Sequence, residues 1–340
     1  MVISAIVVAV GLAGCSGGTT AESDTSTAAG SAAAATEAAS SAAAPASPME
    51  AQDVSILMNW FGSPEQGGYW QADATDLGAD AGVNITVKPG GPGIQTIPQV
   101  AAGEATFGIG NADEIMVARQ NGLPIVAVAA SMNLNPQCMM SHKEANIAAF
   151  PDVNGKTVSR VPSPYWDYLK KTFALDSVQE VNITGLADFK QNKDMVLQCY
   201  ETGEPYWADQ EGIDVNILSN ARDGGYNPYP AMLFTSEQQI NENPEMVRAV
   251  VAAVTQGWAD FMADPAAAKE VIMAGNDQFD DASFTYAWQT MTDKDYVVAP
   301  IGAMADDRLT ELRDQLASVG LVPADFDYTK AFDSQFLPQG

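Results

Sequence analysis

The sequence predicts an α/β fold arranged as two lobes with a ligand cleft between them. From Val54 onward, short apolar runs alternate with amphipathic stretches, which indicates β-α-β units. These units come in an early set and a middle set, and helices dominate after Ser236. A chain that leaves one α/β lobe, builds a second and returns with helices creates a cleft between the two, and such clefts are common ligand sites.

The elements of the early set follow one another closely. The run "VSILMNW" predicts a strand, "GGYWQADATDLGADAG" a helix that ends at Gly82, and "VNITVKPG" a second strand. A short helix is predicted in "IQTIPQVAAGEA", a strand in "TFGIGNA", a helix in "DEIMVARQNG" and a buried strand in "PIVAVAASM". Together these elements make up the first lobe.

The middle set and the helical return complete the expected fold. We predict a strand in "GKTVSRV", a helix in "PYWDYLKKTFAL" and a helix near "NKDMVLQCYETG". The segment that begins "SEQQINENPEM" has a Ser-x-x-Gln pattern that can cap a helix. We therefore assign residues 52–140 and 232–340 to lobe 1, and 141–231 to lobe 2.

Charge and composition exclude several classes of function. The net charge is −27 with 16 basic residues, a balance that repels nucleic acid and anionic membranes. The only His is His142, in the loop-like polar segment "SHKEAN", so no Ser-His-Asp set or metal cluster is expected. Cys138 and Cys199 fit no metal or redox spacing; a disulfide between them stays open, and buried free thiols are favoured. We expect no catalysis, no metal and no cofactor.

The N-terminus has the pattern of an export signal. Residues 2–14 are apolar or small and uncharged, with the length of a signal-peptide core, although no Lys or Arg precedes them. The following "LAGC" resembles the lipobox of bacterial lipoproteins, which implies a signal peptide over 1–15 and lipidation at Cys15. Residues 16–51 are rich in Ser, Thr, Ala and Gly and predict a disordered tether. We expect an extracytoplasmic protein that is attached to the cell membrane only through its N-terminal lipid.

Five segments in order resemble the exported solute-binding proteins of ABC importers. They are "NWFGSPEQGGYWQA", "VKPGGPGIQTIPQVAAGEATFGIGNADEIMVARQNGLPIVAVAA", "GKTV", "YETGEPYW" and "GIDVNIL". The resemblance is to the group that includes binders of thiamine pyrimidine precursors and of nitrate, sulfonate and taurine. It implies a periplasmic-binding-protein type II fold, in which each lobe is a mixed sheet flanked by helices. It further implies a monomer that delivers a small molecule to permease and ATPase subunits.

The resemblance, together with the aromatic and turn residues of the "SPYW" and "GGYNPYP" segments, assigns residues to the cleft; Tyr226 and Asn227 are also candidates for a lid or hinge. Those residues lie in the loop after the first strand, in the "GIGNAD" turn, at the start of the "SPYW" helix, in "GEPYW" and in "GGYNPYP". They are Asn59, Trp60, Glu65, Gly68, Tyr69, Asn111, Asp113, Ser163, Tyr165, Trp166, Glu204, Tyr206 and Tyr226.

Three alternatives to these roles stay open. Trp60 and Trp70 can equally be ordinary core aromatic residues. Asp113 can be the N-cap of the next helix. Glu204 can be a solvated surface carboxylate.

The cleft segments contain aromatic rings and carboxylates but no Lys or Arg. Oxyanions need positively charged or concentrated N–H donors, so nitrate, sulfonate and taurine fit less well. Rings together with Glu65, Asp113, Glu114 and Glu204 suit a flat, nitrogen-rich, neutral or cationic heterocycle. We expect a thiamine pyrimidine precursor, with riboflavin as the alternative. Thiamine-pyrimidine synthases look like relatives with the same fold. They use a Cys-rich segment and a reactive active-site His, and this sequence has no counterpart of either.

Overall fold

The computed structural model describes residues 51–338 and shows two β-sheets flanked by helices. The first sheet contains β1 (Gln52–Leu57), β2 (Val83–Lys88), β3 (Phe107–Gly110), β4 (Ile125–Met132), β10 (Met232–Ser236) and β11 (Val297–Gly302). The second contains β5 (Gln137–His142), β6 (Thr157–Arg160), β7 (Gln179–Asn182), β8 (Met195–Tyr200) and β9 (Val215–Ser219).

The α-helices cover both sheets. They are α1 (Gly67–Ala74), α2 (Thr96–Ala101), α3 (Ala112–Gln120), α4 (Pro164–Phe173), α5 (Leu186–Gln191), α6 (Glu204–Gln210), α7 (Glu237–Glu242), α8 (Pro244–Ala263), α9 (Ala266–Gly275), α10 (Asp281–Asp293) and α11 (Asp306–Ser318). Ser236 is the N-cap of α7 and accepts a hydrogen bond from the backbone N–H of Gln239, which confirms the predicted cap. Among the described residues, no helix is long and apolar enough to cross a bilayer.

Both sheets are mixed. The first has the order β11-β4-β10-β3-β1-β2, with β1 parallel to β2 and β3, and β10 antiparallel to β3 and β4. The second has the order β7-β6-β8-β5-β9, with β6 parallel to β7 and β8, and β5 antiparallel to β8 and β9. This architecture confirms the predicted fold class.

The chain crosses between the sheets twice, through residues 133–136 and 220–231. We call these the first and second crossovers, and we use lobe 1 for residues 51–132 and 232–338 and lobe 2 for 137–219. The predicted boundary after residue 140 falls inside β5, which pairs wholly with the second sheet. The two lobes pack closely enough that the described residues belong to one compact unit.

Two local predictions in lobe 2 are wrong. The segment predicted as a helix near "NKDMVLQCYETG" contains β8, a buried strand between β6 and β5. A short apolar run has no clear period, so only its pairing partners distinguish strand from helix. His142 is the last residue of β5 rather than a loop residue; it is 1% exposed, and its ring stacks on Phe189 with centroids 4.2 Å apart.

Cys138 and Cys199 form a disulfide, so the expectation of free thiols is wrong. The two residues lie directly opposite each other on the antiparallel strands β5 and β8, with their Cα atoms 4.8 Å apart. Sixty-one positions separate them along the chain. Only the strand register brings them together, and the spacing of the cysteines contains no information about that register.

The predicted signal peptide, the lipidation at Cys15 and nearly all of the predicted tether lie outside the described residues.

Candidate ligand site between the lobes

A direct hydrogen bond joins the two lobes at Glu65. A short 3-10 turn, Pro64–Gln66, follows β1 and holds the Glu65 carboxylate against lobe 2. There the hydroxyl of Thr202, two residues beyond β8, donates to that carboxylate, and both residues are buried. Glu65 therefore lies where the lobes meet, in the region that the sequence predicted as the cleft.

Tyr200, the last residue of β8, lies among four carboxylates. Burial raises the pKa of its phenol, and the charges of Glu65, Glu114, Glu204 and Asp113 raise it further. Two elements of lobe 1 and one of lobe 2 supply these carboxylates, so residues of both lobes contribute charge near Tyr200. Tyr200 is not among the site residues predicted from the sequence. The available signal was its position four residues before Glu204 in "YETGEPYW".

The start of α3 supplies Asp113 and Glu114. Asp113 is 2% exposed; it accepts hydrogen bonds from the hydroxyl of Tyr226 at 2.9 Å and from the backbone N–H of Glu114 at 2.9 Å. Burial raises the pKa of both carboxyls, and the charge of Asp113 raises that of Glu114 further. The N-cap of α3 is Asn111, so the alternative that Asp113 caps this helix is wrong.

Glu204 is the first residue of α6. Its Oε2 accepts a hydrogen bond from the backbone N–H of Tyr200 at 2.7 Å. Burial raises the pKa of its carboxyl to about 7, and the nearby charge of Glu65 contributes in the same direction. The alternative that Glu204 is a solvated surface carboxylate is therefore wrong.

No ion pair to Lys or Arg neutralises these four carboxylates within residues 51–338. Neighbouring Glu201 differs, because Arg222 and Lys294 both contact its carboxylate. In the same part of the chain, no group of three or more His, Cys, Asp or Glu residues is arranged to hold a metal ion. The surroundings of Tyr200 thus favour hydrogen-bond donors and cations over anions.

Three of the predicted ring residues pack in the core. Tyr69 is 1% exposed, donates from its hydroxyl to the carbonyl of Ala231 at 2.5 Å, and packs edge-on against Trp258. Tyr165 donates to Gln198 Oε1 at 2.9 Å, and Trp166 is fully buried. This packing does not favour ligand stacking by Tyr69, Tyr165 or Trp166, and those roles stay predictions.

Trp60 and Tyr206 lie at more accessible positions. Trp60 is 39% exposed and packs edge-on against Phe61, so the alternative that it is a core residue is wrong. Tyr206 packs against Tyr286 of the other lobe, with ring centroids 5.0 Å apart. Ligand contact by either ring stays a prediction.

Gly68 has a structural role that the sequence analysis missed. A Cβ atom placed at Gly68 would lie 2.1 Å from the ring of Trp258, and one at Gly67 would lie 2.2 Å from the ring of Phe261. Both glycines therefore allow α1 to pack closely on α8, whereas the sequence predicted Gly68 as a residue of the ligand cleft.

The remaining predicted residues support the turns around the site. The side chain of Asn59 accepts a hydrogen bond from Gln66 Nε2 at 3.0 Å, and the side chain of Asn111 accepts one from the backbone N–H of Ala231 at 3.3 Å. Ser163 is the N-cap residue of α4 and is half-buried. The structure thus brings Glu65, Asp113 and Glu204 near Tyr200, with Tyr226 hydrogen-bonded to Asp113, and places the other predicted residues elsewhere.

A separate cavity of about 360 Å³ lies at the crossovers. Its lining includes Asn133 of the first crossover, Asn227 of the second and Arg308 of α11. The Arg308 guanidinium donates to Asn227 Oδ1 at 3.1 Å and also to the carbonyl of Asn133, and it lies 3.7 Å from the centroid of the Tyr229 ring. Arg308 therefore connects the two crossovers through hydrogen bonds.

Comparison with known proteins identifies relatives along most of the chain. Residues 63–268 match the family described as NMT1/THI5 like. A riboflavin-binding protein, RibY, of Chloroflexus aurantiacus is 26% identical over 85% of this chain and 87% of its own length. A formylaminopyrimidine-binding protein of Halalkalibacterium halodurans is 23% identical over 67% of this chain and 72% of its own length.

Solved structures with low sequence identity share the fold. The periplasmic aliphatic sulphonate binding protein SsuA of Escherichia coli has a TM-score of 0.64 and 14% identity, over 85% of this chain and 94% of its own. The desulfurization enzyme DSZB has a TM-score of 0.54 and 14% identity, over 83% of this chain and 97% of its own. The fold therefore occurs in a binding protein and in an enzyme. By its sequence match and its architecture, the chain belongs to the NMT1/THI5-like family and has the periplasmic-binding-protein fold.

Proposed function

We propose that this protein is the extracytoplasmic solute-binding component of an ABC importer, which binds a flat nitrogen heterocycle and delivers it to permease and ATPase subunits. The observation that carries the proposal is the group of four carboxylates around Tyr200, which no Lys or Arg pairs within the described residues. The curated relatives add support because both are named as binding proteins. We further propose that the mature chain is a monomer lipidated at Cys15.

The chemistry of the site favours a thiamine pyrimidine precursor. An aminopyrimidine has an exocyclic amine beside a ring nitrogen, so one carboxyl group can contact both. A carboxylate accepts from the amine or from a protonated ring nitrogen, and a carboxylic acid donates to an unprotonated one. Glu204 can act as either the carboxylate or the carboxylic acid near neutral pH, since burial raises its pKa to about 7. Because Glu204 lies near Glu65, we propose that these two carboxyl groups hydrogen-bond the exocyclic amine and the adjacent ring nitrogen of the ligand.

Riboflavin is the second candidate. The relative named as a riboflavin-binding protein aligns with 85% of this chain, which is more than the formylaminopyrimidine-binding relative covers. Carboxylates and tyrosine hydroxyls can also hydrogen-bond the hydroxyl groups of a ribityl chain. Sulfonates and nitrate are disfavoured, because an anion among unpaired carboxylates is repelled.

A thermal-shift and calorimetric screen tests the proposal. The panel contains formylaminopyrimidine and other thiamine precursors, thiamine, riboflavin, taurine, nitrate and alkanesulfonates. A ligand at 100 times its dissociation constant should stabilise the fold by about 2.7 kcal/mol. A shift with an oxyanion and none with any heterocycle would refute the proposed ligand class.

Two variants locate the binding site. Glu204→Gln and Glu65→Gln each keep the side-chain shape but remove the charge, and each should weaken binding of the heterocycle by about tenfold, equivalent to about 1.4 kcal/mol. The matched control is Glu211→Gln, which lies just beyond α6 and pairs with Lys190 on the surface. Equal affinities in all three variants would place the ligand elsewhere.

A further inference from the structure

The segment between β8 and α6 contacts lobe 1 outside the ligand site. Glu201 opens this segment, and its side chain is 5% exposed. Two cations bind its carboxylate: Arg222 of the second crossover, and Lys294, at the end of α10 in lobe 1, whose Nζ lies 2.6 Å from Oε2. The Glu201–Lys294 ion pair therefore crosses from one lobe to the other.

Further contacts join the same segment and the start of α6 to α10 and the residues before it. The hydroxyl of Tyr286 donates to the carbonyl of Glu201 at 3.2 Å, and the Tyr286 ring packs on Tyr206. The ring of Trp207 packs against Phe279 with centroids 5.5 Å apart. One charged contact, one hydrogen bond and two aromatic contacts thus hold lobe 2 against one surface of lobe 1.

The contacts with α10 alternate along the chain with residues of the ligand site. Tyr200 and Thr202 flank Glu201, and Thr202 donates to Glu65. Glu204, two residues further on, precedes Tyr206 and Trp207. If lobe 2 moves as a body so that Glu201 leaves Lys294, Thr202 and Glu204 therefore move away from Glu65 of lobe 1 as well.

We infer that Glu201 and Lys294 form an inter-lobe latch that holds the two lobes in the arrangement of this structure, which we call closed, and raises ligand affinity without contact with the ligand. Only the affinity part of this inference rests on the proposed function. If closure is needed for tight binding, the apparent dissociation constant is the intrinsic one divided by the closed fraction. Lys294 is then a positioning residue.

Lys294→Met is the informative substitution. It removes the charge from a partly exposed side chain, while Arg222 still neutralises the buried Glu201 carboxylate, so the fold is preserved. Lys294→Arg should restore the latch. The matched control is Lys190→Met, because Lys190 pairs with Glu211 inside lobe 2 and is similarly exposed.

The first measurement needs no ligand. Spin labels at Thr86→Cys and Gln179→Cys lie on exposed positions of the edge strands β2 and β7, far from the crossover strands in each sheet. The distance distribution from pulsed electron resonance should gain a longer population in Lys294→Met and not in Lys190→Met or Lys294→Arg. Identical distributions in all variants, or equal shifts in both methionine variants, would overturn the latch.

The second measurement uses whichever compound the ligand screen identifies. Lys294→Met should weaken binding by about fivefold, through faster dissociation, and Lys190→Met should not. A longer distance with unchanged affinity would overturn the coupling to ligand. If no compound of the panel binds but the distances shift as expected, the latch stands and the proposed ligand class falls.

Discussion

The hydroxyl of Tyr226 donates to Asp113 Oδ2 at 2.9 Å and joins the second crossover to the start of α3. Both residues are almost fully buried. Burial raises the pKa of the Asp113 carboxyl, and the hydrogen bond from Tyr226 counters part of that rise. A contact between lobe 1 and a crossover thus favours the charged form of a residue in the candidate site.

Tyr226→Phe should lower the free energy of unfolding by about 1–3 kcal/mol, because it removes one of the two hydrogen bonds that the buried Asp113 carboxyl accepts and leaves only that from the backbone N–H of Glu114. Chemical denaturation of the variant measures this loss. Tyr168→Phe is the control, since the ring of Tyr168 packs beside Tyr226 with centroids 5.0 Å apart but does not contact Asp113 through a hydrogen bond within the described residues. Equal stability of the two variants would contradict the assigned role of the Tyr226 hydroxyl.

Stability should fall as the pH rises through neutrality. Burial raises the pKa of Glu204 to about 7, so the folded state keeps a proton that the unfolded state releases near pH 4.5. The resulting stabilisation is fully present below pH 4.5 and is lost as the pH rises through 7. Thermal unfolding from pH 4 to pH 8 should show a smaller decline for Glu204→Gln, whose side chain stays neutral.

The control for the pH series is Glu211→Gln. Lys190 lowers the pKa of Glu211, so this surface carboxylate releases its proton well below pH 7. The variant should therefore keep the wild-type decline near neutrality. A decline of the same size in Glu204→Gln and wild type would show that other groups cause it.

Gly68→Ala should destabilise the protein by about 1–3 kcal/mol, because the added methyl group meets the Trp258 ring and separates α1 from α8. Gly275→Ala, at the end of α9, is the control, since a Cβ atom there meets no other atom within 4 Å. Denaturation midpoints compare the two. A wild-type denaturation midpoint for Gly68→Ala would mean that α1 and α8 accommodate the methyl group without loss of stability.

Removal of the disulfide by the double substitution Cys138→Ala and Cys199→Ala should cost about 2–4 kcal/mol, since the bridge restricts a loop of 61 residues in the unfolded chain. Denaturant unfolding measures the loss. Thiol labelling of the denatured, unreduced wild type should detect no free thiol at either position. Full labelling there would contradict the bridge.

Local patterns predicted much of the fold but failed where pairing partners matter. The alternation of apolar and polar residues in β2 and the continuous apolar run of β4 are visible in the sequence, because the burial of each strand determines its own residue pattern. The strand β8 was predicted as a helix, because its apolar run has no decisive period and its neighbours β5 and β6 are distant in sequence. The disulfide was missed for the same reason.

By itself, the sequence determined the α/β class and a candidate site rich in carboxylates without a paired cation, since both depend on residue type and local order. Only the tertiary structure decided that Tyr69 and Trp166 are core residues, that Gly68 accommodates Trp258, and that Tyr200 lies among the carboxylates. These outcomes depend on which elements pack together. Packing partners and strand register are set by the whole chain, so no single segment contains them.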